Sequence, residues 1–128
     1  PGTKHLVLGN HDQPHPMHRD AHLRLRKYLD VFASVSTAAR RRVEGTEVLL
    51  SHFPYHRDRG EVRHTQWRLR DEGRWLLHGH THGPEQVTIH HHSDHSVPTR
   101  EIHVGVDAWD LTPVPLTTIA RLIQEHTP

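Results

Sequence analysis

The chain has 128 residues, no cysteine and a formal net charge of +1 at pH 7. This length predicts one domain spanning residues 1–128, and its core should be small because only 33% of the residues are hydrophobic. The absence of cysteine excludes disulfides and thiolate metal sites and favours a cytoplasmic location. No apolar run approaches the roughly 18 residues of a membrane-spanning helix, so no membrane partner is expected.

The first half of the chain is predicted to contain a strand, a helix and a second strand. The run KHLVLGN predicts a buried strand because its apolar residues are consecutive, and a loop follows from Asn10 to Pro16. Apolar residues at helical spacing predict a helix over residues 17–32. The run EVLLSH predicts the second buried strand, and the Arg-rich stretch ARRRVEG before it is typical of solvated surface.

The second half is predicted to contain a loop, three strands and a helix. Residues 55–73 are charged and are expected to be mainly loop, and RWLLHGH then predicts a third strand. EQVTIHHH and REIHVGVDAW predict two strands joined by a turn, and PLTTIARLIQEH predicts a helix with Pro115 at its first position. The whole order favours an α/β or layered α+β architecture.

Histidine is the unusual component, with 17 residues. Imidazole is the commonest metal ligand in proteins, and a chain rich in histidine but without cysteine favours divalent transition metals. Most of these histidines are expected on the surface, so their spacing must identify the ligands.

Three of the predicted strands end in polar residues. If these strands are neighbours, their carboxyl ends converge, as at the ligand sites of α/β sheets. An amide oxygen and several imidazoles would suit manganese, iron, nickel or zinc. Each motif alone is also compatible with an ordinary turn or an exposed edge, but the series of three favours a metal site. The residues at these ends are Asn10, His11, Asp12, His52, His80 and His82.

These motifs resemble those of the calcineurin-like metallophosphoesterase family, especially its small bacterial and phage members. The family carries G-N-H-[DE], then a lone His after a strand, then G-H-x-H. This chain has GNHD at 9–12, His52 in LLSHFP and GHTH at 79–82. The tail VGVDAWDLTPVPL is also similar, so the resemblance covers nearly the whole chain.

The resemblance implies a layered α-β-β-α sandwich with two divalent metals, manganese by preference and iron, nickel or zinc as alternatives. Asn10, His52 and His80 would bind one metal, and His82 would belong to the other. His11 would face the substrate and donate a proton to the leaving group, oriented by Asp12. The implied reaction is hydrolysis of phosphodiesters or phosphomonoesters by a metal-bound hydroxide.

The chain departs from the family pattern at its start. The family's D-x-H and G-D motifs, which complete the first metal site and bridge the two metals, lie upstream of G-N-H-D. Pro1 lies only eight residues before Gly9, and the string DAH at 20–22 falls in a predicted helix. The sequence therefore predicts the C-terminal part of a phosphoesterase domain. The alternatives are a catalytically inactive metal-binding scaffold of the same fold and a histidine-rich storage module with scattered ligands.

Other polar residues are given structural roles. The HHHSDH stretch at 90–95 is expected to be a solvated hairpin tip, with an additional metal-binding patch as the alternative. His5 and His103 are expected on exposed strand faces. His78 is expected to support the G-H-x-H turn, and Asp107 to make structural hydrogen bonds. The sequence implies a phosphate-ester substrate and leaves its identity open, with nucleic acid possible only as substrate. The oligomeric state is also open.

Overall fold

The computed structural model describes residues 2–58, 60 and 62–128, and within that part the chain forms two sheets and two α-helices. This is a mixed α/β fold, as predicted. The elements are β1 His5–Val7, α1 Ala21–Leu29, β2 Ser34–Ser36, β3 Ala38–Val43, β4 Thr46–Ser51, β5 Trp75–His78, β6 Val87–His90, β7 Thr99–His103 and α2 Leu116–Glu125.

The larger sheet has five strands in the order β3-β4-β5-β7-β6. Its centre is parallel, because β4 pairs with β5 and β5 pairs with β7 in the same direction. The edge strands β3 and β6 are antiparallel to their neighbours. All four residues of β5 are buried, which agrees with its consecutive apolar residues. The carboxyl ends of β4 and β5 therefore lie side by side.

The core lies between this sheet and α2. Ile119, Leu122 and Ile123 of α2 are buried, as their spacing predicts, but Leu116 is 64% exposed because it is the first residue of the helix. Pro115 precedes the helix in an extended conformation instead of occupying its first position. The sheet residues in this core include Val43, Val48, Trp75, Leu77 and Ile102.

The first helix is shorter than predicted. It spans nine residues, not the predicted residues 17–32, because successive turns occupy the chain between Pro14 and Asp20. None of its residues is buried, and Leu23 is 71% exposed. Its contacts are chiefly with β2, so α1 contributes little to the core.

The sequence does not predict β2 or β3, and β1 is less buried than predicted. β1 is exposed to half-buried, not fully buried, because among the described residues its one partner is the short parallel strand β2. β3 contains the Arg-rich stretch that was expected to be solvated, and Arg40, Arg41 and Arg42 are indeed exposed. Pairing with β4 makes this stretch a strand despite its charge, and the connecting turn has positive φ at Glu44 and Gly45.

The segment at residues 55–73 is mainly loop, with a 3₁₀ turn at Thr65–Trp67, although Arg59 and Glu61 lie outside the described residues. Across the described part of the chain, no helix has the length and apolar character needed to cross a membrane.

Candidate metal site

Three side chains predicted as metal ligands meet beyond the carboxyl ends of the strands. His52 Nε2 lies 3.0 Å from Asn10 Oδ1 and 3.2 Å from His80 Nδ1. His80 Nδ1 lies 3.2 Å from Asn10 Oδ1, which closes the strand-end triangle Asn10–His52–His80. Adjacent ligands at about 2.1 Å from one six-coordinate cation are about 3.0 Å apart. The three atoms are therefore spaced like ligands of one metal ion.

The sheet explains only two corners of this triangle. His52 follows β4 and His80 follows β5, and these strands are parallel neighbours. Asn10 follows β1, which belongs to the other sheet, so the condition that the three strands are neighbours holds for β4 and β5 and not for β1. The backbone carbonyl of Asn10 accepts a hydrogen bond from His18 Nε2 at 2.8 Å, which helps to hold its loop in place.

The ring of His52 is held between close neighbours. A Cβ atom placed on Gly9 would lie 2.8 Å from ring atoms of His52, so this close approach requires glycine. Phe53 is 1% exposed and packs edge-on against the rings of both His52 and His80, with centroids 5.0 and 4.9 Å apart. The two imidazoles therefore share one rigid apolar support.

His80 is fixed from behind by a buried carboxylate. Its backbone has a positive φ of 66°, and its Nε2 lies 3.0 Å from Asp58 Oδ2. Asp58 also accepts hydrogen bonds from Arg63 and Arg68. The Arg68 side chain is 3% exposed and also donates to the carbonyl of Pro54 at 2.8 Å. A carboxylate on the far nitrogen of a ligating histidine is the usual partner that fixes its tautomer.

The electrostatics favour neutral imidazoles and an ionised Asp58. Burial, together with the neighbouring His80, lowers the pKa of His52 to about 4. Burial also lowers the pKa of His80, although its hydrogen bond to Asp58 opposes this shift. Burial alone would raise the pKa of Asp58, but hydrogen bonds from its arginine partners and His80 lower it overall. His80 therefore donates Nε2–H to Asp58 and presents the lone pair of Nδ1 to the triangle.

The remaining predicted site residues lie outside the triangle. His11 is exposed on the same loop as Asn10. Asp12 accepts a hydrogen bond from the backbone N–H of Gly9 at 2.7 Å, so its carboxylate closes the loop. The side chain of His82 is 79% exposed and its Nδ1 lies 3.1 Å from Asp107 Oδ2, which gives Asp107 a structural partner.

Four other histidines test the expectations from sequence. His5 is exposed, as expected, but His103 is 4% exposed and stacks against the buried His78 at 5.3 Å, so its exposed placement is wrong. The cause is that β7 lies inside the sheet, between β5 and β6. His78 Nδ1 donates to the carbonyl of Gly79, next to the turn that presents His80. His92 is half-buried, which is contrary to a wholly solvated hairpin tip.

A cavity of about 490 Å³ lies beside the site. Its lining includes Asp58, which holds His80, and also the buried residues His78, Glu101 and His103. The three corners of the triangle do not themselves line this cavity. The cavity therefore borders Asp58, which holds His80, and not the three atoms of the triangle.

Comparison with known proteins gives relatives and a shared fold. No protein-family model matches the chain. It is 56% identical over 117 residues to the Gene 66 protein of Mycobacterium phage L5, covering 85% of this chain and 54% of that protein. It is 56% identical over 121 residues to the Gene 66 protein of Mycobacterium phage D29, covering 89% and 58%. The chain thus spans about half the length of the curated relatives it matches.

A solved structure supports the fold. The crystal structure of the protein of unknown function AQ665 from Aquifex aeolicus matches with a TM-score of 0.63 at 22% identity. The match covers 95% of this chain and 62% of that one. At this identity, the likeness concerns the fold alone.

Proposed function

We propose that the chain supplies a metal-binding half-site of a metal-dependent phosphoesterase acting on phosphodiesters or phosphomonoesters. The observation that carries the proposal is the convergence of Asn10 Oδ1, His52 Nε2 and His80 Nδ1 within 3.2 Å of one another. The reaction class comes from the resemblance of the three motifs to those of the metallophosphoesterases. The proposal includes that family's layered α-β-β-α sandwich as the fold.

The donor set fits a divalent transition metal. One amide oxygen and two neutral imidazoles match the preferences of manganese, iron, nickel and zinc. The lowered pKa values of His52 and His80 keep both rings neutral near pH 7, as ligation requires. Three protein ligands also leave coordination positions open for water and a phosphoryl oxygen.

A divalent metal held by these residues would supply an activated water and polarise a phosphoryl oxygen. His11 is exposed and follows Asn10 directly in the loop, which supports a place for it beside the metal. Its role would be to donate a proton to the departing alkoxide. Asp12 acts on the loop through Gly9 and so helps to hold both Asn10 and His11.

A second candidate function is an inactive metal-binding scaffold of the same fold. The observation that favours it is the orientation of the nearby carboxylates. Asp12 bonds to the backbone of Gly9, and Asp58 bonds to His80 and two arginines. The triangle itself is uncharged, so these residues alone offer little negative charge to hold two cations close together. We therefore expect the chain by itself to bind one metal at the triangle and to hydrolyse little.

The test combines metal counting with an activity assay. The chain and its His52→Ala variant are dialysed with Mn²⁺, and bound metal is counted; His91→Ala, an exposed histidine, is the matched control. We expect His52→Ala to lose the strand-end ion and His91→Ala to keep it. Equal counts in all three proteins would contradict the proposed site.

Activity is measured on the longer phage L5 relative with bis(p-nitrophenyl) phosphate and Mn²⁺. Hydrolysis that is lost on substitution of the residue aligned with His52 supports the phosphoesterase. A bound metal without hydrolysis of phosphodiesters or phosphomonoesters supports the inactive scaffold instead.

In an active protein, changing His11 to Ala should lower turnover by about a hundredfold, the usual scale for a general acid. Bound metal should be unchanged, because His11 lies outside the triangle. Substrates with poor leaving groups should lose more than p-nitrophenyl esters, which need little protonation. Equal losses on both kinds of substrate would remove His11 from the role of proton donor.

A further inference from the structure

A second group of metal-ligating side chains lies outside the strand-end triangle. One atom each of His56, Asp71 and His92 lies within 4.8 Å of the other two. His56 Nε2 is 2.9 Å from Asp71 Oδ2, and the two rings are 6.0 Å apart, centroid to centroid. The three residues come from segments distant in sequence, so the fold brings them together.

The hydroxyl of Thr99 lies at the centre of this group. Thr99 is 2% exposed, and its Oγ1 lies 3.2 Å from His56 Nε2 and 3.0 Å from His92 Nε2. It also bonds to Asp71 Oδ2. All three ligand atoms therefore point at one spot at the first residue of β7.

Asp71 is held as an acceptor. Its Oδ1 accepts from the backbone N–H of Gly73 at 2.9 Å, which leaves Oδ2 directed toward Thr99 and His56. Burial alone would raise the pKa of Asp71, but the hydrogen bonds from Thr99, Gly73 and His56 lower it overall. The group thus contains one fixed carboxylate and two imidazoles.

We infer that the His56–Asp71–His92 cluster is a second divalent-metal site, with zinc as its best-fitting ion. Two imidazoles and one carboxylate form a common zinc donor set, and zinc binds nitrogen ligands more tightly than manganese does. Binding needs both Nε2 lone pairs turned inward. Each ring would move its Nε2 proton to Nδ1, a tautomer change with no net proton release.

Such an ion would cross-link three surface segments. His56 belongs to the loop after β4, Asp71 to the loop before β5, and His92 to the connection between β6 and β7. The side chain of His56 is 56% exposed and that of Asp71 is 8% exposed, so His56 can move inward onto a fixed acceptor. Because the ion binds only the folded arrangement, it should stabilise the fold.

The test counts Zn²⁺ on metal-free protein in the presence of a weak competing chelator, which removes ions from isolated surface histidines. We expect His92→Gln to bind one Zn²⁺ fewer per chain than the wild type, with an affinity loss at this cluster of at least about tenfold. The matched control is His91→Gln, exposed on the same connection, which should bind as the wild type does. Asp71→Asn is the second variant, and circular dichroism checks that each protein is folded.

The variant His52→Ala distinguishes metal binding at the strand-end triangle from metal binding at this cluster. That variant should lose the strand-end ion and keep the one at His92, and the double variant should lose both. Zinc should also raise the melting temperature of the wild type and of His91→Gln more than that of His92→Gln. If folded His92→Gln and Asp71→Asn bind as much Zn²⁺ as the wild type, the cluster is only a hydrogen-bond network and the inference is overturned. This conclusion does not depend on whether the triangle binds a metal.

Discussion

The strand-end triangle and the His56–Asp71–His92 cluster use similar side chains but have different support. In the triangle, the donor atoms already lie 3.0–3.2 Å apart. In the cluster, they lie within 4.8 Å of one another, and one imidazole is largely exposed. A ligand set that is already ordered loses less conformational entropy on binding. The closely spaced donors of the triangle should therefore bind a metal more tightly than the donors of the cluster.

The largest effect is expected at the ends of β4 and β5, as acid sensitivity of the metal-free fold. Burial lowers the pKa of both His52 and His78 to about 4, from an ordinary value of 6.5. Between those values the unfolded chain binds more protons, so the free energy of unfolding falls as the pH falls from about 6.5 to 4. We expect the free energy of unfolding to fall by about 3 kcal/mol between pH 7 and 4.5. This value is smaller than two fully buried imidazoles would give, because His52 is partly exposed.

Urea unfolding in EDTA at several pH values measures this dependence. His78→Gln should flatten the curve, because the variant removes the more buried of the two imidazoles. A pH dependence in His78→Gln that equals that of the wild type would show that His78 is not responsible.

A reciprocal pair of variants separates the two regions. Asp58→Asn weakens the acceptor behind His80 and should lower metal affinity at the triangle by about ten- to a hundredfold. Asp71→Asn should weaken the other cluster and leave the triangle as it is. Titration calorimetry with Zn²⁺ on each variant measures both sites. Equal weakening of both sites by either variant would mean that the two clusters are coupled and that the comparison fails.

The smallest expected effect concerns the packing of His52. A methyl group on Gly9 would lie 2.8 Å from the His52 ring, whereas one on Gly79 would lie at an ordinary 3.8 Å. Gly9→Ala should therefore displace the ring and weaken metal binding at the triangle by about tenfold, within the range of a lost supporting contact. Gly79→Ala is the matched control and should bind normally. Similar affinities in the two variants would show that this close approach is not needed.

The sequence predicts the residues that meet in the strand-end triangle better than it predicts the residues that hold them in place. Asn10, His52 and His80 each lie two or three residues after the last residue of an apolar run. Because β4 and β5 are parallel neighbours, local pattern and topology agree for His52 and His80. Asp58 is missed because its contact with His80 depends on how the charged loop at 55–73 folds back, and that loop has no periodicity. Thr99 is missed for a similar reason, because nothing near it in sequence marks a convergence point.

The strands outside the core show the same limit. β3 carries three consecutive exposed arginines and forms a strand because β4 pairs with it, so its own composition gives little signal. The helix at α2 is well predicted because its apolar spacing matches its buried face, whereas α1 buries none of its residues and the prediction extends it too far.

The most direct test of the central claim is an anomalous difference map from a crystal of this chain soaked in Mn²⁺. We predict a peak about 2.0–2.4 Å from Asn10 Oδ1, His52 Nε2 and His80 Nδ1 together. A well-ordered triangle with no peak there, at a Mn²⁺ concentration that loads other sites in the same crystal, would contradict it.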